Sequence, residues 1–343
     1  MSDYRVRVAP LMHVPYLLES MGYQPNSVIE FAGLSPGDFE SSENRVPYAE
    51  AVRLINAGAE VSCCLSFGLL LGECFTLQDL GLAGRLAHTS ATVEVALHDL
   101  MENFHLHDSG GIIALDKSAR IMSLGYRSLL PRAVSVVQVN DMCIACLFLI
   151  MRALCGEEWS PSRVQLSRPR PDNDALYRKF FRAPVIFGAK RNALSFSNHW
   201  LDRPTLSADL EGHMALTRIA CEARNGADPG LSTLVRRYLH RGLHLGQNAS
   251  GEIAEALGMH ERTLRRRLQQ EHISFSKLLE EVRQTTSFQY LSDTELSISD
   301  IAGELGYSST DAFDHAFRRW HGLSPLQWRK RYTLRDQSVE PEH

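Results

Sequence analysis

Apolar positions late in the chain follow a helical period interrupted by one glycine. In residues 297–328, Ile298, Ile301, Ala302 and Leu305 recur at helical spacing, Gly306 follows, and Phe313 and Phe317 stand four apart. The pattern predicts a helix, a glycine turn, a second helix and a third helix started by Pro325 after Ser324. Ser297 and Ser308 each stand three residues before an acid, Asp300 and Asp311, which predicts an approximate capping box at each helix start.

The same pattern occurs upstream. Ile253, Ala254, Leu257 and Gly258 precede Ile301, Ala302, Leu305 and Gly306 by 48 residues. Beyond the glycines, Leu264 and Leu268 precede Phe313 and Phe317 by 49, so the second turn holds one more residue. Two helix-turn-helix units are predicted, at about 249–271 and 297–321. Residues 275–291 form a single helix between them, offering Phe275, Leu278, Leu279, Val282 and Leu291 for packing. Such a helix is roughly 25 Å long. That length suits two recognition helices set about one turn of DNA apart, ~34 Å, in successive major grooves.

Residues 1–225 mix two periods and predict an α+β domain with more helices than strands. Helices are expected at 16–21, 27–31, 47–61, 67–72, 92–104, 134–155 and 176–181. The helix at 92–104 puts Val93, Ala96, Leu97, Leu100 and Phe104 on one face. Strands are expected at 111–115 and 120–126 around a polar turn at 116–119, at 163–166, and as a short pair at 185–187 and 193–196. Turn formers cluster at 225–230, NGADPG, and the strand signal stops there. The organisation predicted is multidomain: an α+β domain at 1–225, an all-α domain carrying the two helix-turn-helix units at 226–332, and a frayed polar tail at 333–343.

Composition changes this picture little. A length of 343 residues fits two domains, and 44% hydrophobic with 22% charged residues describes an ordinary globular chain. The formal net charge is -4, so any surface for nucleic acid must be locally basic. Seven cysteines without framework spacing fit a reducing cytoplasm. The first residues carry charges where an export signal needs an apolar run. The most apolar stretch, 142–151, falls short of the ~20 residues that cross a bilayer, and predicts a buried helix rather than a membrane contact.

The stretches IAEALGMHERTLRRRLQQE, SFSKLLEEVR and ISDIAGELGYSSTDAFDHAFRRWHGLSPLQWR make residues 231–332 resemble the DNA-binding domain of the AraC/XylS family of bacterial transcription regulators. More loosely, FGLLLGE, TVEVAL and YRKFFRAPVIFGAKRNALSF resemble the arabinose-binding-domain-like sensor region of one branch of that family. Departures stand at His260, where the family has a Ser cap, at His272 and Ile273, which replace a glycine-containing turn, and at Gln284 and Ser287 in the linker helix. The resemblance implies a transcription activator that works with RNA polymerase, a homodimer, and a small-molecule effector in the N-terminal domain, with no cofactor.

Candidate DNA contacts follow. Arg262, Arg265 and Arg266 lie at i, i+3 and i+4 on one helical face, with Thr263 nearby, and the family's base-reading positions fall on these arginines. A guanidinium can take both O6 and N7 of a guanine. The plainer reading is a solvated cationic face balanced by Glu261 and Glu271. In the second unit the matching positions are Thr310, Asp311, Asp314 and His315, followed by Arg318 and Arg319. Asp311 can accept from cytosine N4, but a first-turn carboxylate also serves a helix N-terminus, and that role is favoured. Arg318 and the Arg329, Lys330, Arg331 cluster suit phosphate.

Enzyme chemistry finds little support in the first domain. His98, His105 and His107 lack partners at metal-ligand spacing and are expected at the surface or at helix caps. Cys143 and Cys146 have CxxC spacing but sit inside MCIACLFLIM, which predicts a buried helix face. No G-x-S-x-G elbow, phosphate loop or HExxH occurs. The sequence-based reading is a non-enzymatic, effector-modulated regulator. An effector-independent dimerisation module, or an enzyme fused to a DNA reader, is the alternative.

Overall fold

The computed structural model describes residues 4–117, 120–130, 135–226, 230–245 and 250–336, and the chain divides into two compact units, Met1–Asp228 and Pro229–His343. The first unit runs β1 (Arg5–Arg7), α1 (His13–Ser20), α2 (Pro25–Phe31), β2 (Arg45–Pro47), α3 (Tyr48–Val61), α4 (Phe67–Glu73), α5 (Leu82–Thr89), α6 (Val93–Asn103), β3 (Gly111–Asp116), β4 (Ile121–Ser128), α7 (Val137–Cys155), β5 (Arg163–Gln165), α8 (Ala175–Phe181), β6 (Val185–Ile186), β7 (Asn192–Ser197) and α9 (Leu210–Gly226). The second is helical: α10 (Leu231–Leu245), α11 (Ser250–Ala256), α12 (Glu261–Gln270), α13 (Phe275–Asp293), α14 (Ile298–Glu304), α15 (Thr310–His321) and α16 (Pro325–Asp336).

In the first unit β1 and β2 form a two-stranded sheet, and five strands form a second sheet in the order β3-β4-β7-β5-β6. Antiparallel pairing of β3 with β4 sets Ile113 opposite Tyr126 and Leu115 opposite Leu124, and β7 continues the face with Leu194 and Phe196. All six side chains are in the main core, as the period of two requires. The short strands expected to pair with each other do not. β5 lies between them, antiparallel to β7 and parallel to β6, with Val164 opposite both Leu194 and Val185. Fully buried Val164 takes the central place, so 187–191 connects two strands that flank β5 rather than closing a hairpin.

Helix α7 is apolar on nearly every side and packs against β4, β7 and α4. It is long and apolar enough to cross a membrane, yet 67% of its apolar window is buried within the fold, the behaviour of a core helix. Its contact with α4 is close because Gly68 and Gly72 face it. A Cβ at Gly68 would lie 2.0 Å from the Gln138 carbonyl oxygen, and one at Gly72 would lie 2.6 Å from Ala145 Cβ. Gln138 ties the two helices by accepting from Gly68 N–H (2.8 Å) and donating to the Leu65 carbonyl (3.0 Å). A buried ion pair, Arg168 with Asp141 at 2.6 Å, is joined by the Tyr177 hydroxyl at 2.6 Å and pins α8 to α7.

One expected boundary shifts, and two other expectations fall partly outside the described residues. Val134 and the Ser118–Ala119 part of the polar turn lie outside the described residues. The last helix continues to Asp336, so the stretch read as a frayed tail begins as helix; residues 337–343 lie outside the described residues.

Candidate nucleic-acid interface

The second unit is built from two small cores that share α13. Its first half gives Leu278 and Val282 to a core with Val235, Leu239 and Leu243 of α10, Ile253 of α11, and Leu264 and Leu268 of α12. Its second half gives Phe288 and Leu291 to a core with Ile301 and Leu305, Phe313 and Phe317, and Trp328. The apolar positions repeated along the sequence therefore line two equivalent interiors, and one helix spans both. Each helix-turn-helix pivots on a left-handed glycine, Gly258 with φ 65° and Gly306 with φ 70°, a region a Cβ disfavours.

Helix starts are fixed by side chains. Ser297 accepts from Asp300 N–H (3.0 Å) and donates to the Asp300 carboxylate (2.7 Å). In the second recognition helix the cap is Ser309, not Ser308: Ser309 accepts from Ala312 N–H at 3.2 Å, because the longer turn delays the helix to Thr310. Ser324 and Gln327 cap α16 reciprocally. At α12 the departure from Ser still caps, since His260 Nδ1 accepts from Arg262 N–H at 3.2 Å.

Exposed cations cluster on α12. Arg262, Arg265, Arg266 and Arg267 are exposed while Leu264 and Leu268 are fully buried, so the arginines cannot turn inward. Thr263 is half-buried beside them. Arg265 is paired with Glu261 at 2.6 Å, and hydrogen bonds from Ser250 and Arg265 hold the Glu261 carboxyl below the usual range. Arg262, Arg266 and Arg267 have no ion-pair partner among the described residues, which leaves their guanidiniums available to an outside acceptor.

Helix α15 presents a different surface. Thr310 is half-buried, Asp311 and His315 are exposed, and Arg318 is tied to Asp314 at 2.6 Å. Asp311 occupies the first turn, where a carboxylate favours the helix dipole. Arg319 reaches away to Glu280 of α13 at 2.7 Å, and Trp320 Nε1 donates to the same carboxylate at 2.7 Å. Arg329 also lies elsewhere than expected: its guanidinium donates to the carbonyls of Tyr290, Leu291 and Leu296, so it holds the end of α13 in place instead of awaiting phosphate. Lys330 and Arg331 remain exposed.

Sequence reasoning missed the residues that position these helices. Arg283 donates to the carbonyls of Leu305 (2.8 Å) and Gly306 (2.8 Å) and lies 4.5 Å from the Tyr307 ring, closing the end of α14. Glu271 accepts from Leu231 and Ser232 N–H (2.7 and 2.9 Å) at the start of α10. Charged residues on a helix pattern read as solvent-facing, and no local signal marks their long-range partners.

The first unit holds a cavity of about 600 Å³, counted to its open mouth, between α3, α7, β3 and β4. Its wall is aliphatic and aromatic, and one end is polar: Tyr48 and Tyr126 hydroxyls lie 2.6 Å apart and Tyr126 donates to Asp108 Oδ2 at 3.2 Å. His107, expected at the surface, is buried here. Burial, then the charges of Arg7 and Arg45, pushes its imidazolium down to about 3, so the ring is neutral. Cys143 and Cys146 face the same cavity.

Comparisons with known proteins agree in kind. A family model described as the arabinose-binding domain of AraC transcription regulator, N-terminal, matches residues 22–205, and a helix-turn-helix domain model matches residues 253–331. The HTH-type transcriptional regulator VirS of Mycobacterium tuberculosis is 27% identical over 326 residues, covering 94% of this chain and 96% of that one. The ornithine utilization regulator of Pseudomonas aeruginosa is 23% identical over 96% of this chain and 98% of its own. The crystal structure of the transcriptional regulator CdpR from Pseudomonas aeruginosa aligns with 89% of this chain and 96% of its own at a TM-score of 0.43 and 24% identity.

Proposed function

The chain belongs to the AraC family of transcription regulators and is a DNA-binding regulator rather than an enzyme, and from that premise we propose that it reads its operator mainly through α12 and answers to a small-molecule effector held in the first unit. The observation that carries the reading is the exposed arginine face of α12, fixed outward by Leu264 and Leu268. Arg262, Arg265 and Arg266 contact bases, Thr263 and His315 lie beside the groove, and Arg318 neighbours phosphate. Thr310 and Asp311 sit at the start of α15, which sets the unit's position on DNA. The shared helix α13, about 28 Å long at 1.5 Å per residue, supports docking in successive major grooves of one duplex face.

Regulation is by activation through RNA polymerase, in a cytoplasmic homodimer, as the family resemblance implies. The cavity of the first unit supports the effector, and so does a relative named for ornithine utilization. Genome-wide mapping of bound sites tests the reading, followed by operator affinity measured against a metabolite panel built from the neighbouring genes. The expected result is a small set of shared-motif sites whose affinity changes with one metabolite. Binding spread without a motif would overturn the DNA assignment, and affinity indifferent to every metabolite would overturn the effector.

A further inference from the structure

The cavity of the first unit has a division of labour that restricts what can fill it. Val52, Ile55, Phe75, Leu80, Met142 and Ile150 are among the apolar side chains that dominate its wall, and they offer a ligand contact area but no hydrogen bonds. Polar atoms gather at one end, on Tyr48, Asp108, Tyr126, His107 and Cys143. Asp108 is the only lining residue that carries a formal charge when His107 is neutral. Its carboxylate is held in place, Oδ1 by Gly110 N–H at 2.7 Å and Oδ2 by the Tyr126 hydroxyl at 3.2 Å, and each oxygen keeps further acceptor capacity. His107 is 4% exposed and its Nδ1 makes no hydrogen bond. Such a buried orphan costs stability unless something pairs with it.

The other cations near this end are already committed. Arg7 donates to the Asp79 carbonyl and pairs with Glu43, while Arg45 donates to the Leu106 carbonyl and Arg5 to the Arg45 carbonyl. None of these arginines lines the cavity. A ligand anion would therefore meet the Asp108 carboxylate with no cation in the cavity wall to pair with, Arg45 acting only from outside it, and its desolvation would be poorly offset. A cation meets the opposite situation. A buried carboxylate, phenol oxygens and a neutral imidazole can all accept from a protonated amine.

We propose that the cavity binds a mainly apolar molecule carrying one protonated amine, with the ammonium seated between Asp108, Tyr48 and His107 and the hydrocarbon body along α3 and α7. This assignment rests on the effector reading above and names the class of ligand for it. The acidic, phenolic and imidazole groups that face Asp108 are Tyr48 from α3, Tyr126 from β4, Cys143 from α7 and the adjacent His107, with Arg45 acting from outside the cavity wall.

Three matched probes test it on the full-length chain: n-hexylamine, 1-hexanol and hexanoate, compared by calorimetry and by melting temperature. Hexylamine should bind at least about tenfold more tightly than either partner, the value of one charge-assisted hydrogen bond, and raise the melting temperature. Its affinity should increase from pH 6 to pH 8 as Asp108 ionises, a readout that needs no variant. Asp108→Asn should lower hexylamine affinity about tenfold while leaving hexanol unchanged. Equal binding of hexanol or hexanoate, a flat pH profile, or an Asp108→Asn variant that is folded and binds hexylamine as before would overturn the amine assignment. No binding by any of the three would overturn it as well. In each case a change of operator affinity with some other class of metabolite would leave the effector reading standing, and no change with any would remove both.

Discussion

Two residues show how a single side chain carries the account. His272 closes α12 in a left-handed conformation, φ 58°, with Ile273 N–H bonded to the Leu268 carbonyl (3.1 Å) and His272 N–H to the Gln269 carbonyl (3.0 Å). This is the helix ending that glycine usually supplies. His272→Gly should stabilise the second unit by about 1 kcal/mol, read from denaturant midpoints; a lower midpoint would show that the imidazole makes a contact worth more than the strain. Asp108 makes a pH prediction. Burial pushes its carboxyl up to about 7 from an ordinary value near 3.8, against the hydrogen bonds from Gly110 and Tyr126. Between those values the folded chain keeps a proton that the unfolded chain has lost, so this group's contribution to stability falls as pH rises and levels off above about 7. Relative to wild type, Asp108→Asn should gain stability across that window in unfolding measured at a series of pH values. Parallel stability curves for the two proteins would contradict the buried, costly carboxylate. Neither residue's role was legible in the sequence: His272 was visible only as a missing glycine, and Asp108 drew no attention because its partners Tyr48 and Tyr126 come from distant segments.

At the scale of elements, the period of apolar residues carried most of the information. The helices of both helix-turn-helix units, the shared α13 and the core helix α7 were all expected from spacing, since burial of one face needs only local sequence to show itself. What was missed depends on partners. The place of β5 between β6 and β7 is set by non-local pairing, and α9 has a mixed surface, with Leu210, Met214 and Ile219 exposed. The same limit hid the hold of α13 on the second helix-turn-helix. Arg283→Met keeps the aliphatic stem and removes both hydrogen bonds to the end of α14, where it should cost about 2 kcal/mol. Thermal unfolding of the variant checks the cost, and a change within measurement error would mean that water replaces the guanidinium there without loss.

The whole molecule combines a formal net charge of -4 with one helix, α12, that exposes four arginines. Overall charge hides the interface, and only the repeat of two helix-turn-helix patterns, 48 to 49 residues apart, showed where to look. The two units differ in how their arginines are held. Arg262 and Arg266 of the first are unpaired among the described residues, whereas Arg318 and Arg319 of the second are held by Asp314 and Glu280. Binding-site selection from random duplex DNA, run in parallel with wild type and Arg266→Ala, tests that asymmetry most directly. The account predicts a motif in two parts about one helical turn apart, with Arg266→Ala relaxing the base preference at one position of one part and leaving the other part intact. An unchanged motif from the variant, or a wild-type motif confined to a single part, would contradict it.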